Sequence, residues 1–160
     1  MSRVVDFRRT TLFSTERVGK CGNNIGRSAY PKLYVIENLL RITLHSILAA
    51  QLGNGWWQIA VDTAVRGKAT RFRNTYSARP WHTSPGNHDI YYVDLRDLVE
   101  IARANSHLLS PVIIDINHWI TQIESIRFPR NLTAHMNFPN ANDRKKVDII
   151  FNDLKTLVIS

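Results

Sequence analysis

Two stretches of this chain carry apolar residues at intervals of three and four, and that spacing restricts it to a helical fold. Leu33, Ile36, Leu40, Leu44, Ile47 and Leu48 keep the interval down to Leu52, where Gly53-Asn54-Gly55 ends it. Ile113, Ile116, Trp119, Ile120, Ile123 and Ile126 keep it again, in the most apolar stretch of the chain. Several of these are β-branched and would suit a strand, but length and spacing favour helix. A helix with one apolar stripe has to bury it against a neighbour, so the pattern leads to packed helices.

The remaining segments follow suit. Ser28 is placed to cap the first long helix, with Pro31 in its first turn. Trp56, Trp57, Ala60, Val61, Ala64 and Val65 continue an apolar face, and that segment stays helical to about Tyr76 despite Gly67. Asp94 and Asp97 have the spacing of a capping box ahead of Leu95, Leu98, Val99 and Ala102, a helix that ends near Asn105. Ser110-Pro111 has the form of an N-cap followed by proline at the first helical position. Asn142 is placed to cap a final helix with Val147, Ile150, Phe151, Leu154 and Leu157 or Val158 inward. The expectation is an all-α, up-and-down bundle of four to five helices over residues 28–160. Residues 1–27 form a basic arm with Arg3, Arg8, Arg9, Arg17 and Lys20, in which Val4-Val5-Asp6-Phe7 and Thr11-Leu12-Phe13 are short strands or docked extended segments.

Charge narrows the partners. Twenty-one Lys and Arg against 13 Asp and Glu leave a net charge of +8, with a pI of about 10.1. Polyanions are attracted to such a chain, and nucleic acid is favoured over an anionic membrane because no basic amphipathic anchor is visible. Between Thr63 and His88 there is no acidic residue, while Arg66, Lys68, Arg71, Arg73 and Arg79 fall within it. This run is the expected phosphate track for RNA. Trp56 and Trp57 invite comparison with base-stacking residues, yet a tryptophan pair at a helix start serves packing better.

Other chemistries lack their residues. A single cysteine, Cys21, leaves no disulfide and no multi-cysteine zinc site within one chain, and is expected to be an unreactive or surface thiol. His82 and His88 share a loop without two further ligands at a workable spacing, so no metal is expected. No Walker loop, GxGxxG signal, EF-hand or HExxH occurs, and no cofactor is expected. No apolar run approaches the ~20 residues of a membrane span and no signal-peptide core opens the chain, which points to the cytoplasm.

Between the second periodic stretch and the final helix lies Arg127-Phe-Pro-Arg-Asn-Leu-Thr-Ala-His-Met136. Pro129 should push Phe128 out of the α region and end one helix there, then sit in the first turn of the next. Asn131 and His135, four apart, share a helix face, and the long stem of Arg130 brings its guanidinium to the same spot. An imidazole gives or takes a proton near neutral pH. A guanidinium stays charged and matches phosphate oxygens in a fork, including the added charge of a pentacoordinate transition state. The plainer alternative pairs Arg130 with a carboxylate and rests His135 on a core contact. Upstream, Glu37 and Arg41 are four apart, the spacing of an intrahelical pair.

Arg130-x4-His135, with Asn131 after the Arg and Ala134 before the His, resembles the signature of the HEPN superfamily of small helical ribonucleases and nucleotide-binding domains. Tyr30-x2-Leu33-Tyr34-x2-Glu37-x2-Leu40-Arg41, then Gly55-Trp56-Trp57, then Tyr91-Tyr92-Val93-Asp94-Leu95-x2-Leu98 are similar to its Swt-type branch. The likeness covers about residues 28–158 and implies a helical bundle. It also implies a metal-independent endoribonuclease in which His135 is the acid/base, Arg130 holds the phosphate, Asn131 orients one of them or the scissile group, and Glu37 assists. One imidazole does not readily serve two opposed oxygens, so a homodimer that brings two such pairs together is expected. The likeness implies a toxin, phage-defence or RNA-processing setting, with an antitoxin or defence-complex partner. One departure stands out: HEPN toxins silenced by adenylylation carry Tyr two residues after the His, where this chain has Asn137. A non-catalytic RNA-binding or dimerisation module is the alternative from a different class.

Overall fold

The structure, a computed structural model, describes residues 15–159, and among them every regular element is a helix. In order these are α1 (Thr15–Arg27), α2 (Ala29–Leu52), α3 (Trp56–Ala60), α4 (Thr63–Ser77), a 3-10 turn (Asp89–Tyr92), α5 (Leu95–Ala104), α6 (Ser106–Leu109), α7 (Ile116–Ser125), α8 (Arg127–Ala134) and α9 (Ala141–Ile159). The all-α expectation is met. The described residues fall into two compact units, one of residues up to Ile36 together with those from Ser125 onward, the other Glu37–Glu124.

The first unit buries Cys21, Ala29, Leu33, Ile36, Ile126, Phe138, Val147, Ile150 and Leu154. Lys32 pairs with Asp148, and Arg144 Nη1 donates to Asn24 Oδ1 at 2.9 Å while its guanidinium lies 5.0 Å from the Phe138 ring. Residues 15–27 of the basic arm form α1, with Cys21 buried in the core of this unit rather than exposed as a surface thiol, in keeping with the unreactive alternative. The three glycines of α1 conceal this in the sequence, because each costs about 1 kcal/mol of helix propensity relative to Ala. Val4–Phe7 and Thr11–Phe13 lie outside the described residues.

The second unit is centred on Leu44, Leu48, Trp56, Trp57, Ile90, Leu98 and Leu109, all buried. Each such side chain contributes about 1.5–3 kcal/mol by leaving water. Both tryptophans are core, as their place at a helix start predicts. Buried Asn105 ends α5 and donates from Nδ2 to the carbonyls of Ala60 and Ile101, each at 2.8 Å.

Several boundaries differ from expectation, each for a local reason. Ser28 does not cap α2; its Oγ donates back to Asn24 O at 2.6 Å, and α1 and α2 meet with that residue alone between them. Ser110-Pro111 opens no helix. The chain turns until Asp115, which takes a positive φ of 54° and accepts from His118 N at 3.3 Å, so α7 starts at Ile116. The final helix is capped by Asn140, whose Oδ1 accepts from Asp143 N at 2.9 Å, not by Asn142. The helix stop at Gly53 is as expected, with φ 74°.

Val18–Leu52 is long and apolar enough to cross a membrane by length and composition, which inspection of apolar runs did not pick out. Within it Leu33, Ile36, Leu44, Ile47 and Leu48 are buried.

Candidate functional site

The Arg130–His135 motif occupies α8, an eight-residue helix that starts two residues before Pro129. Phe128 is helical despite preceding proline. The missing Pro129 amide falls in the first turn, where amides have no intrahelical acceptor, so the helix tolerates it. Pro129 is buried, and the buried Thr133 Oγ1 donates to its carbonyl at 2.9 Å. The helix ends at His135, not at its beginning as the sequence implied. There Met136 adopts φ 60°, Met136 N donates to Thr133 O at 3.1 Å, and Asn137 N donates to Leu132 O at 2.8 Å. These are the two bonds of a Schellman stop, with methionine in the left-handed position where glycine is usual.

That stop presents the chemistry. Arg130 is half-buried and Asn131 exposed, with Arg130 Nη1 donating to Asn131 Oδ1 at 3.4 Å. His135 is exposed at the helix end, its own amide donating to Asn131 O at 3.0 Å. Two large apolar side chains flank the motif in solvent, Phe128 at 69% and Met136 at 85% exposure.

Glu37 belongs to the other unit. Its carboxylate accepts from Arg41 Nη2 at 2.6 Å, the pair that the four-residue spacing predicts. Arg41 also donates to Ile90 O at 3.2 Å and Val93 O at 2.8 Å, tying α2 to the segment leading into α5.

The basic run divides into two groups. Lys68 Nζ lies 2.7 Å from both Asp94 and Asp97, the two members of the α5 capping box. Burial lowers the Lys68 pKa, but the hydrogen bonds and charges of the two carboxylates outweigh it and raise it above 10.5. Arg73 Nη1 pairs with Asp89 at 2.6 Å, and its Nη2 donates to Asn87 O. These two cations are ties within the fold. Arg66 donates to Val61 O and Thr63 Oγ1, Arg79 donates to Thr75 O, and Arg71 is exposed. None of these three has a carboxylate partner among the described residues.

Spacing along the chain gave no sign of one cluster. His45, Trp56, Trp57 and His88 meet ring to ring: His88 stacks on Trp56 with 7° between planes, and His45 lies 4.7 Å from His88. A cleft of about 250 Å³ opens beside it, lined by Arg41, Ile42, His45, Asn87, His88, Ile90 and Tyr91. His88 Nδ1 accepts from Ile90 N at 3.1 Å, so its proton sits on Nε2. Burial, then the nearby His45 and Arg73, hold the His88 pKa below 6.5, with Asp89 opposing. His45 Nδ1 and Trp56 Nε1 are buried without a hydrogen-bond partner. No metal-ligating cluster of three or more His, Cys, Asp or Glu occurs among the described residues.

No family model, curated protein or solved structure matches the chain.

Proposed function

We propose that this protein is a metal-independent endoribonuclease of HEPN type, built on Arg130, Asn131 and His135. The observation that carries the proposal is their arrangement on α8, where an exposed imidazole ends the same short helix that holds the Arg130–Asn131 pair. In the proposed reaction the ribose 2′-OH attacks the adjacent phosphorus and loses its proton to one imidazole. The 5′-oxygen leaves and takes a proton from a second imidazole, giving a 2′,3′-cyclic phosphate and a 5′-OH. Arg130 balances the charge that builds on the non-bridging oxygens. The second imidazole is His135 of another copy, so the active species is a homodimer assembled through α8, where Phe128 and Met136 supply apolar contact area.

The basic surface of Arg66, Arg71 and Arg79, with Lys68 and Arg73 beside it, holds the RNA backbone. The HEPN likeness implies a toxin or phage-defence effector with an antitoxin or defence-complex partner. Asn137 argues against silencing by adenylylation at that position.

A second reading, a non-catalytic RNA-binding or dimerisation module, draws on the His135 imidazole having no hydrogen-bond partner among the described residues. Substitution separates the two. His135→Ala abolishes cleavage and leaves RNA binding intact for an enzyme. For a binding module, loss of Arg71 together with Arg73 weakens RNA binding far more than loss of His135.

A further inference from the structure

We propose that Phe72, Tyr76 and Trp81 form a stacking platform for the unpaired bases of single-stranded RNA, with Arg71 and Arg79 on its phosphates. The inference rests on the chain being RNA-binding and adds how the strand is held. Phe72 and Tyr76 are four apart on α4 and share one face of it. Their exposures are 49% and 41%, and that of Trp81 is 76%. Arg79-Pro80-Trp81-His82 is a β-turn closed by His82 N donating to Arg79 O at 3.0 Å, with proline at its second position, so Trp81 projects from a defined corner. Tyr76 is braced by the buried Tyr92 ring 6.1 Å away, and Tyr92 is itself fixed by its hydroxyl donating to Gly86 O at 2.8 Å.

Charge selects the occupant. From Thr63 to His88 there is no carboxylate, and Arg71 and Arg79 lack acidic partners among the described residues, so the rings sit in a positive field. A basic surface interleaved with exposed aromatic faces matches a single strand, whose bases are free to leave their neighbours and stack on side chains. A duplex keeps its bases inside and offers such rings nothing beyond its backbone.

The test is fluorescence titration of a twelve-nucleotide oligouridylate and of a twelve-base-pair RNA duplex, in a His135→Ala background that keeps the RNA whole. The single strand is expected to bind more tightly and to quench tryptophan emission. Trp81→Ala should weaken it roughly 5- to 150-fold, the range that stacking carries per base, with Trp81→Phe largely restoring it. Arg71→Ala with Arg79→Ala should weaken binding and lower the salt slope by about 0.7 per cation removed. Circular dichroism of the Trp81 variants checks that folding is kept. Single-strand affinity unchanged in Trp81→Ala and Phe72→Ala, with RNA still bound, overturns the platform and leaves the RNA proposal standing. Absence of binding to either RNA overturns both.

Discussion

His135 differs from the cations of α4 in what its neighbours leave it to do. Lys68 is locked between Asp94 and Asp97, and Arg73 is held by Asp89, whereas the His135 imidazole stands at a helix end in solvent. Removing an acid/base group costs about 10²–10⁴ in rate, so His135→Ala should lose at least that much cleavage with unchanged retention on immobilised RNA. Structural residues should respond through stability instead. Asn105→Ala removes the bonds that this buried amide donates to the Ala60 and Ile101 carbonyls and should cost about 1–3 kcal/mol. Asp94→Ala removes the α5 cap and one partner of Lys68, costing about 0.5–2 kcal/mol. Urea denaturation measures both. The motif residues were legible because their types and order survive without a fold. The division of the basic run was not, since Asp89, Asp94 and Asp97 reach back across 16 to 29 residues.

Among the elements, helix cores were legible and helix ends were not. Three-four periodicity located α2, α5, α7 and α9 but ran α3 and α4 together across the break at Val61-Asp62, where Asp62 caps α4, and the Asp94–Asp97 box fixed the start of α5 as expected. Caps were misassigned where a neighbouring residue offered the same chemistry: Asn140 caps in place of Asn142, and Asp115 stands where Ser110 was expected. The stop of α8 was hidden for the opposite reason, because Met136 occupies a left-handed position usually signalled by glycine. The His45–His88–Trp56 cluster joins α2, α3 and the turn before α5, so no local pattern announces it. It makes a prediction of its own. A His88 pKa held below 6.5 means that the unfolded chain binds this proton more readily. The contribution of His88 is complete above about pH 6.5 and is lost as pH falls through the lower folded value. Protonation also ends the bond that His88 Nδ1 accepts from Ile90 N. Urea midpoints at pH 7.5 and 5.5 should therefore fall with acid, and His88→Asn, which keeps an acceptor but does not titrate, should flatten that fall.

At the scale of the whole molecule, the all-helical class followed from periodicity, while the arm's helix α1 did not, its glycines outweighing the pattern around Cys21. The proposed mechanism uses two imidazoles and α8 supplies one per chain, so activity should track assembly. Light scattering should report twice the 18.4 kDa chain mass, and charged substitutions at the exposed Phe128 and Met136 should reduce mass and cleavage together. The most direct measurement is incubation of the purified protein with mixed cellular RNA in excess chelator, beside His135→Ala. Cleavage by the parent protein alone, leaving 2′,3′-cyclic phosphate ends, is the predicted result. Equal cleavage by both proteins, or RNA bound intact by both, would contradict a catalytic Arg130–His135 site.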